Sequence, residues 1–337
     1  MRYGQTMRMF FALLLVLVAA PALADPPSLR LPLDCRLGDD CWIANYPDSD
    51  PGPGSRDYTC ASRSYDGHTG VDIALRDREA LEAGVPVLAV AAGKVVAARD
   101  GVEDGLWLAG RKDEVKAARR ECGNRVAVAH GDGWVTDYCH MRQGSIRVKV
   151  GDVVAAGQPL GLVGLSGMTE FPHIHVGLLR FAPGKTEGIP VDPFTGALLS
   201  AGCGQPPKPL WGQSLPYQAG DLYAVGFADH LPTADEVKRH AQGLAVVTPD
   251  APALVAWATL FGVKGGDRLG VRLTAPDGST LLEQTIALDR DQAWRMAASG
   301  KKRPVSGWAI GRYQAVVTWE RPGRPPQMRT TAIEVRP

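Results

Sequence analysis

Between residues 61 and 200 the chain is cut into short strand-like runs separated by glycine turns: Val71–Leu75, Val85–Val90, Lys94–Ala98, Arg125–Ala129, Trp134–Cys139 and His173–Leu179. Short, closely spaced runs of this kind favour an antiparallel sheet or a small barrel. Residues 124–130 and 134–138 flank Gly131-Asp132-Gly133 and read as a hairpin. Residues 146–161 alternate apolar positions with breaks at glycine, whereas Asp100–Arg120 is charged and reads as an inserted loop or short helix. With 39 glycines and 26 prolines among 337 residues, the whole chain is expected to be all-β.

The length allows two domains. Residues 25–60 form a proline-rich, acidic arm, residues 61–200 the first domain, and 201–216 a glycine- and proline-rich linker. Residues 217–337 read as a second β-domain. There Val255, Trp257, Thr259 and Phe261 alternate, as do Tyr313, Ala315, Val317 and Trp319, and Pro276-Asp277-Gly278 is a hairpin turn. Thr233-Ala234-Asp235-Glu236 is a capping box for one short helix. The pattern suggests an immunoglobulin-like β-sandwich, and no catalytic constellation is visible in it.

Arg2 and Arg8 precede an apolar run from Met9 to Ala20, and Ala22-Leu23-Ala24 is a small-x-small cleavage site before Asp25. Residues 1–24 are therefore expected to be a signal peptide. The run is shorter than the ~20 residues that span a bilayer, so the mature chain is expected to be exported, periplasmic or secreted, without stable membrane insertion. In such an oxidising compartment the six cysteines, Cys35, Cys41, Cys60, Cys122, Cys139 and Cys203, are expected to pair. Cys122 with Cys139 follows from the hairpin, and the other four leave three pairings open. Net charge is +1 with no concentrated basic face, so no nucleic-acid partner is expected.

Three stretches carry chemistry. In His68-Thr69-Gly70-Val71-Asp72, Gly70 and the β-branched residues argue against a helix. On a strand, positions four apart face the same side, and Gly70 between them leaves room for an ion. Taken alone, a polar pair near a turn explains this stretch. His173-Ile174-His175 follows Pro172, which favours extended backbone, and places two imidazoles on one face. A solvated strand face is the alternative there. His140 ends the run Val135–His140. Imidazole and carboxylate are ligands that zinc accepts, so the first and last stretches can supply a His/Asp/His site. The two remaining histidines are then free to handle protons and developing charge. Asp66, Asp137 and Glu170 stand near as supporting partners without assigned roles, and His130, His230 and His240 lie outside the cluster.

His68-x-Gly70-x-Asp72, Tyr138-x-His140-Met141 and the run from Gly164 to Val176 together resemble the LytM/lysostaphin-type zinc metallopeptidases, over roughly Tyr65 to Phe194. The resemblance implies one zinc ion per chain, bound by His68, Asp72 and His175, with His140 and His173 as the catalytic pair. It implies an antiparallel fold related to the barrel-sandwich hybrid, with the site in a groove, and peptide bonds of peptidoglycan as substrate. Zinc with three protein ligands keeps a position for water, whose pKa falls towards ~7. One of His140 and His173 then serves as base and the other as oxyanion stabiliser; which does which stays open. The departures from the family pattern are the Asp100–Arg120 insertion and the additional cysteines. Three other functions compete: a catalytically silent regulator of other cell-wall hydrolases, a carrier module, since Val148–Leu160 resembles half of a lipoyl- or biotinyl-type domain but has no hairpin-tip lysine flanked by Met or Asp, and a cell-wall-binding protein acting through its C-terminal domain. The arm containing Asn45 is a candidate cover for the groove, a clipped packing segment being the simpler reading. The bond cut and the oligomeric state are left open.

Overall fold

The computed structural model, which describes residues 25–105 and 107–337, is almost wholly β-structure. The leader expected over residues 1–24 lies outside the described residues. The first half carries β1 (Cys41–Asn45), β2 (Gly70–Leu75), β3 (Pro86–Leu88), β4 (Gly93–Arg99), β5 (Asn124–Ala129), β6 (Trp134–Met141), β7 (Val153–Val154), β8 (Pro159–Leu162), β9 (His173–Arg180) and β10 (Ile189–Pro190). Eight of them make one sheet in the order β1-β2-β9-β6-β5-β4-β7, with β10 beside the end of β9, while β3 pairs with β8.

Side-chain alternation gives this sheet two chemically different faces. Val71, Ile73, Val126, Val128, Tyr138, Ile174, Val176 and Leu178 belong to one buried apolar cluster. Their sequence neighbours Asp72, Asp137, Cys139, His173 and His175 stand on the opposite face. Full burial of each aliphatic side chain is worth roughly 1.5–3 kcal/mol. A slip of one residue would reverse both faces, so the core fixes the register that assembles the site.

Two segments read as irregular belong to this body. The arm supplies edge strand β1, with Trp42 and Ile43 buried, and the Cys35–Cys41 disulfide closes the turn before it. In the stretch read as a linker, Leu210 and Trp211 enter the apolar cluster and Leu29 bridges to Trp211. A few large apolar side chains anchor segments whose proline content resembles that of a free tether. A short helix, α1 (Arg78–Ala83), follows β2; Asp77 caps it by accepting from the Ala80 N–H. The charged insertion carries α2 (Lys112–Ala117). Cys122 pairs with Cys139 as expected, and the remaining bridge is Cys60–Cys203.

The second half contains β11 (Asp221–Ala228), α3 (Ala234–Arg239), β12 (Val246–Val247), β13 (Ala253–Val263), β14 (Arg268–Thr274), β15 (Thr280–Ala287), β16 (Gln292–Lys302), β17 (Gly311–Glu320) and β18 (Gln327–Val335). Sheets β11-β13-β16 and β12-β18-β17-β14-β15 share apolar clusters, Leu222 and Leu260 with Leu269 and Val317 at one end, Phe227 and Leu254 with Val271 and Ile333 at the other. β13 does not keep the expected half-exposed alternation. It is buried on both faces because Trp257 packs under Val237 and Ala241. The Thr233 capping box is present. This half covers β1, which would otherwise be an open sheet edge: Ile43 N–H donates to Gln218 Oε1 at 2.9 Å, and Trp42 packs edge-on against Tyr223 at 4.9 Å.

Candidate metal centre

Strand pairing places the site residues in a row. Asn45 lies opposite Asp72, Asp72 opposite His175, and His175 opposite Cys139, across β1, β2, β9 and β6. His68 is not on the strand with Asp72 as expected; β2 begins at Gly70, and His68 sits in the turn before it. It reaches the same point because Asp48 N–H donates to its carbonyl at 2.6 Å and its ring stacks on Tyr65 at 4.4 Å. Asp72 Oδ1 is 3.0 Å from His68 Nε2 and 2.9 Å from His175 Nδ1, and these two nitrogens are 3.1 Å apart. His173 Nε2 lies 3.5 Å from the same oxygen. Gly70 is needed for this convergence: a Cβ there would stand 2.6 Å from His175 Nε2.

Backbone carbonyls fix three of the four imidazoles. A carbonyl only accepts, so each nitrogen facing one carries hydrogen. His68 Nδ1 donates to Tyr46 O at 2.7 Å, His140 Nδ1 to Ser166 O at 2.9 Å and His173 Nδ1 to Phe171 O at 2.9 Å. In the neutral rings the Nε2 lone pairs therefore point into the site. Burial opposes charge on Asp72, yet His68, His173 and the hydrogen bonds from His175 and His68 hold it well below the usual carboxylate range. Burial also opposes charge on His68, and the adjoining carboxylate outweighs it and raises His68. His68 and Asp72 thus favour each other's charged forms. Burial, then His173 and His175, drive His140 well below the ordinary histidine value, and burial lowers His173. Both are neutral.

The donor set fits a cation. His68, Asp72 and His175 offer ligand atoms that all lie within 4.8 Å of one another. A tetrahedral ion with bonds of ~2.0–2.2 Å needs ligand atoms about 3.4 Å apart, a few tenths of an ångström beyond the 2.9–3.1 Å separations here. The groups around Cys35 and Cys122 offer no thiolate, because their sulfurs are in disulfides.

His140 owes its position to a bulge. Val126 pairs with Tyr138 and Asn124 with Met141, so Cys139 and His140 together oppose Arg125. His140 has φ 63°, in the left-handed region, a conformation that costs a non-glycine residue of order 1–3 kcal/mol. Its N–H donates to Cys122 O at 2.8 Å and its carbonyl accepts from Gly164 N at 2.9 Å. The Cys122–Cys139 disulfide ties down the same corner. The ring then lies 4.7 Å from that of His173. Tyr138, its motif neighbour, is buried in the core, where its hydroxyl accepts from Val90 N–H at 2.7 Å.

The supporting partners differ from those considered in the sequence. Asp137 pairs with Arg125 at 2.9 Å and Glu170 with Lys112 at 3.8 Å. The side chain that touches Asp72 from outside the cluster is Asn45, whose Nδ2 donates to Oδ2 at 2.9 Å. The other supports are main-chain carbonyls, which leave no signature in a sequence. His130 is held by Ala92 O and Thr136, His230 by Asp229 and Glu236, and His240 faces Glu79, all outside the centre.

A buried carboxylate and two imidazoles converge on one point, beside two further histidines on an antiparallel sheet, and could hold one metal ion. The family model for Peptidase family M23 matches residues 66–193. The chain is 44% identical over 72 residues to cell division protein DipM of Caulobacter vibrioides, covering 21% of this chain and 11% of that one. It is 40% identical over 57 residues to peptidoglycan DD-endopeptidase ShyA of Vibrio cholerae, covering 17% and 13%. Among solved structures, the catalytic domain of lysostaphin from Staphylococcus simulans aligns at 25% identity and a TM-score of 0.28, covering 44% of this chain and 85% of that one. Residues 66–193 are thus similar to peptidase family M23. The chain spans only about a tenth to a third of the length of the curated relatives it matches. Among the described residues no helix is long and apolar enough to cross a membrane.

Proposed function

We propose that the chain is an exported zinc metalloendopeptidase that hydrolyses peptide bonds of peptidoglycan, with zinc held by His68, Asp72 and His175. The observation that carries this is the meeting of His68 Nε2 and His175 Nδ1 on Asp72 Oδ1, at 3.0 and 2.9 Å, with ligand atoms of all three residues within 4.8 Å of one another. When bound, zinc supplies Lewis acidity towards a carbonyl and lowers the pKa of a coordinated water to about 7. Asp72 keeps its charge despite burial because imidazoles surround it, and the Tyr46 carbonyl keeps the His68 Nε2 lone pair turned inward. His140 and His173 both start as neutral Nδ1–H tautomers. Each can therefore take a water proton at Nε2, and the one that has done so can donate it to the oxyanion or the leaving amine. The V. cholerae relative named a peptidoglycan DD-endopeptidase supports the substrate class.

In this reading residues 1–24 are removed on export, 61–200 are the peptidase domain, 25–60 and 201–216 brace it, and 217–337 are an accessory sandwich. The test is incubation of the purified mature chain with sacculi, with and without chelator, followed by mass analysis of the soluble muropeptides. Chelator-sensitive release of peptides cut at one bond type is expected. Intact sacculi with zinc-loaded, folded protein would refute the reading.

A further inference from the structure

Beside the metal centre, where the second half of the chain covers the sheet edge, lies a cavity of about 200 Å³. Trp42 and Asn45 line it from the arm and Phe171 from the peptidase domain; Tyr223, Trp294 and Lys238 line it from the sandwich and α3. Two of these residues touch the centre directly. Asn45 Nδ2 donates to Asp72 Oδ2 at 2.9 Å, and Phe171 stacks on His173 with ring centroids 4.5 Å apart. A peptide lying across the centre and leaving it on this side has its neighbouring residues in the cavity.

The charges around the cavity are nearly all spent on one another. Arg76 faces Asp77 at 3.4 Å, Arg78 faces Asp235 at 3.0 Å and Glu170 faces Lys112 at 3.8 Å. Lys238 is the exception: among the described residues no carboxylate forms an ion pair with it, and its ammonium rests 4.5 Å over the Trp294 ring. The groove that holds the centre and runs away from the cavity carries the opposite sign. Asp66 and Glu121 line it without a cationic partner among the described residues, and Asp137 is neutralised by Arg125 at 2.9 Å. A substrate carrying a carboxylate on one side of the cut bond is thus attracted at the cavity end and repelled at the groove end.

We propose that this interdomain cavity is a specificity subsite for an acidic peptide residue next to the cut bond, with Lys238 binding its carboxylate and the aromatic walls its aliphatic part. The proposal rests on the peptidase reading above and extends it to orientation and preference. The aromatic ring holds the ammonium in place, and a hydrogen bond to a charged partner is worth about tenfold or more in affinity.

The experiment uses the full zinc-loaded chain and two soluble cross-linked muropeptides, identical except that the free carboxylate nearest the cross-link is a carboxamide in one. The wild type should show a KM about tenfold lower for the acid than for the amide. Lys238→Gln should reduce that ratio to about one, and Lys238→Arg should retain most of it. Equal KM values for the two substrates in the wild type would overturn the subsite. So would a Lys238→Gln enzyme that keeps the full preference. Cleavage of neither substrate would instead overturn the peptidase reading and the subsite with it.

Discussion

Gly70→Ala is the sharpest perturbation of the centre, because it adds one methyl group and removes no ligand. The added Cβ would stand 2.6 Å from His175 Nε2 and 2.6 Å from the Val176 carbonyl oxygen. An ordinary contact needs about 3.5 Å, so nearly an ångström must be found. The carbonyl belongs to β9, which pairs with β2 through Gly70–Gly177 and Val71–Val176. It moves only if the strands part. The imidazole can turn, and turning takes Nδ1 off the Asp72 oxygen it now meets at 2.9 Å. Overpacking of this kind costs about 1–3 kcal/mol in stability. Displacing one of three ligands should weaken zinc at least as much as losing a supporting partner does, roughly 10–100-fold. Competition with a chromophoric chelator gives the zinc affinity, and calorimetry of the chelated protein gives the stability. Wild-type values in both would refute the claim that His175 closes over Gly70 to complete the site.

Four further outcomes follow from the same geometry. His68→Ala or Asp72→Ala should lose zinc and activity together, read by metal analysis beside sacculus digestion; stoichiometric zinc in either variant contradicts the ligand set. His140→Ala should retain zinc while turnover falls ~100- to 1,000-fold, and near-normal cleavage would remove His140 from the chemistry. Replacing Cys122 and Cys139 together by serine frees the corner that holds His140 at φ 63°; kcat should fall with zinc content and KM little changed, whereas a rise in KM alone would argue against a positioning role. Burial lifts Asp192 from 3.8 to about 6, although Phe194 N–H and Ser49 Oγ–H donate to it. The folded chain therefore holds a proton that the unfolded chain has released between about pH 4 and pH 6. Stability from this group is present at low pH and lost as pH rises through 6, by up to roughly 3 kcal/mol. The Tm of Asp192→Asn relative to wild type should accordingly improve from pH 4 to pH 7, and parallel Tm profiles would contradict this.

The sequence was most legible where one residue type serves one purpose. Alternation puts His173 and His175 on one strand face, and this holds because the apolar cluster fixes the register. His68 and Asp72 meet, but not as strand neighbours: contacts from Asp48 and Tyr65 bring His68 in from a turn, and contacts so far apart in sequence leave no periodicity to read. The bulge at Cys139–His140 was invisible because a histidine, not a glycine, occupies the left-handed position. Trp211 and β1 were hidden by proline-rich surroundings, although each buries large apolar side chains. The carbonyls of Tyr46, Ser166 and Phe171 orient three imidazoles, and every residue type carries a carbonyl.

The central claim is that His68, Asp72 and His175 hold one zinc ion beside His140 and His173. Anomalous diffraction at the zinc edge, from crystals of the zinc-loaded chain, tests it most directly. A single peak is expected about 2.0–2.2 Å from His68 Nε2, Asp72 Oδ1 and His175 Nδ1. A peak ligated by any other side chains, or no peak among these three in stoichiometrically loaded protein, would contradict it.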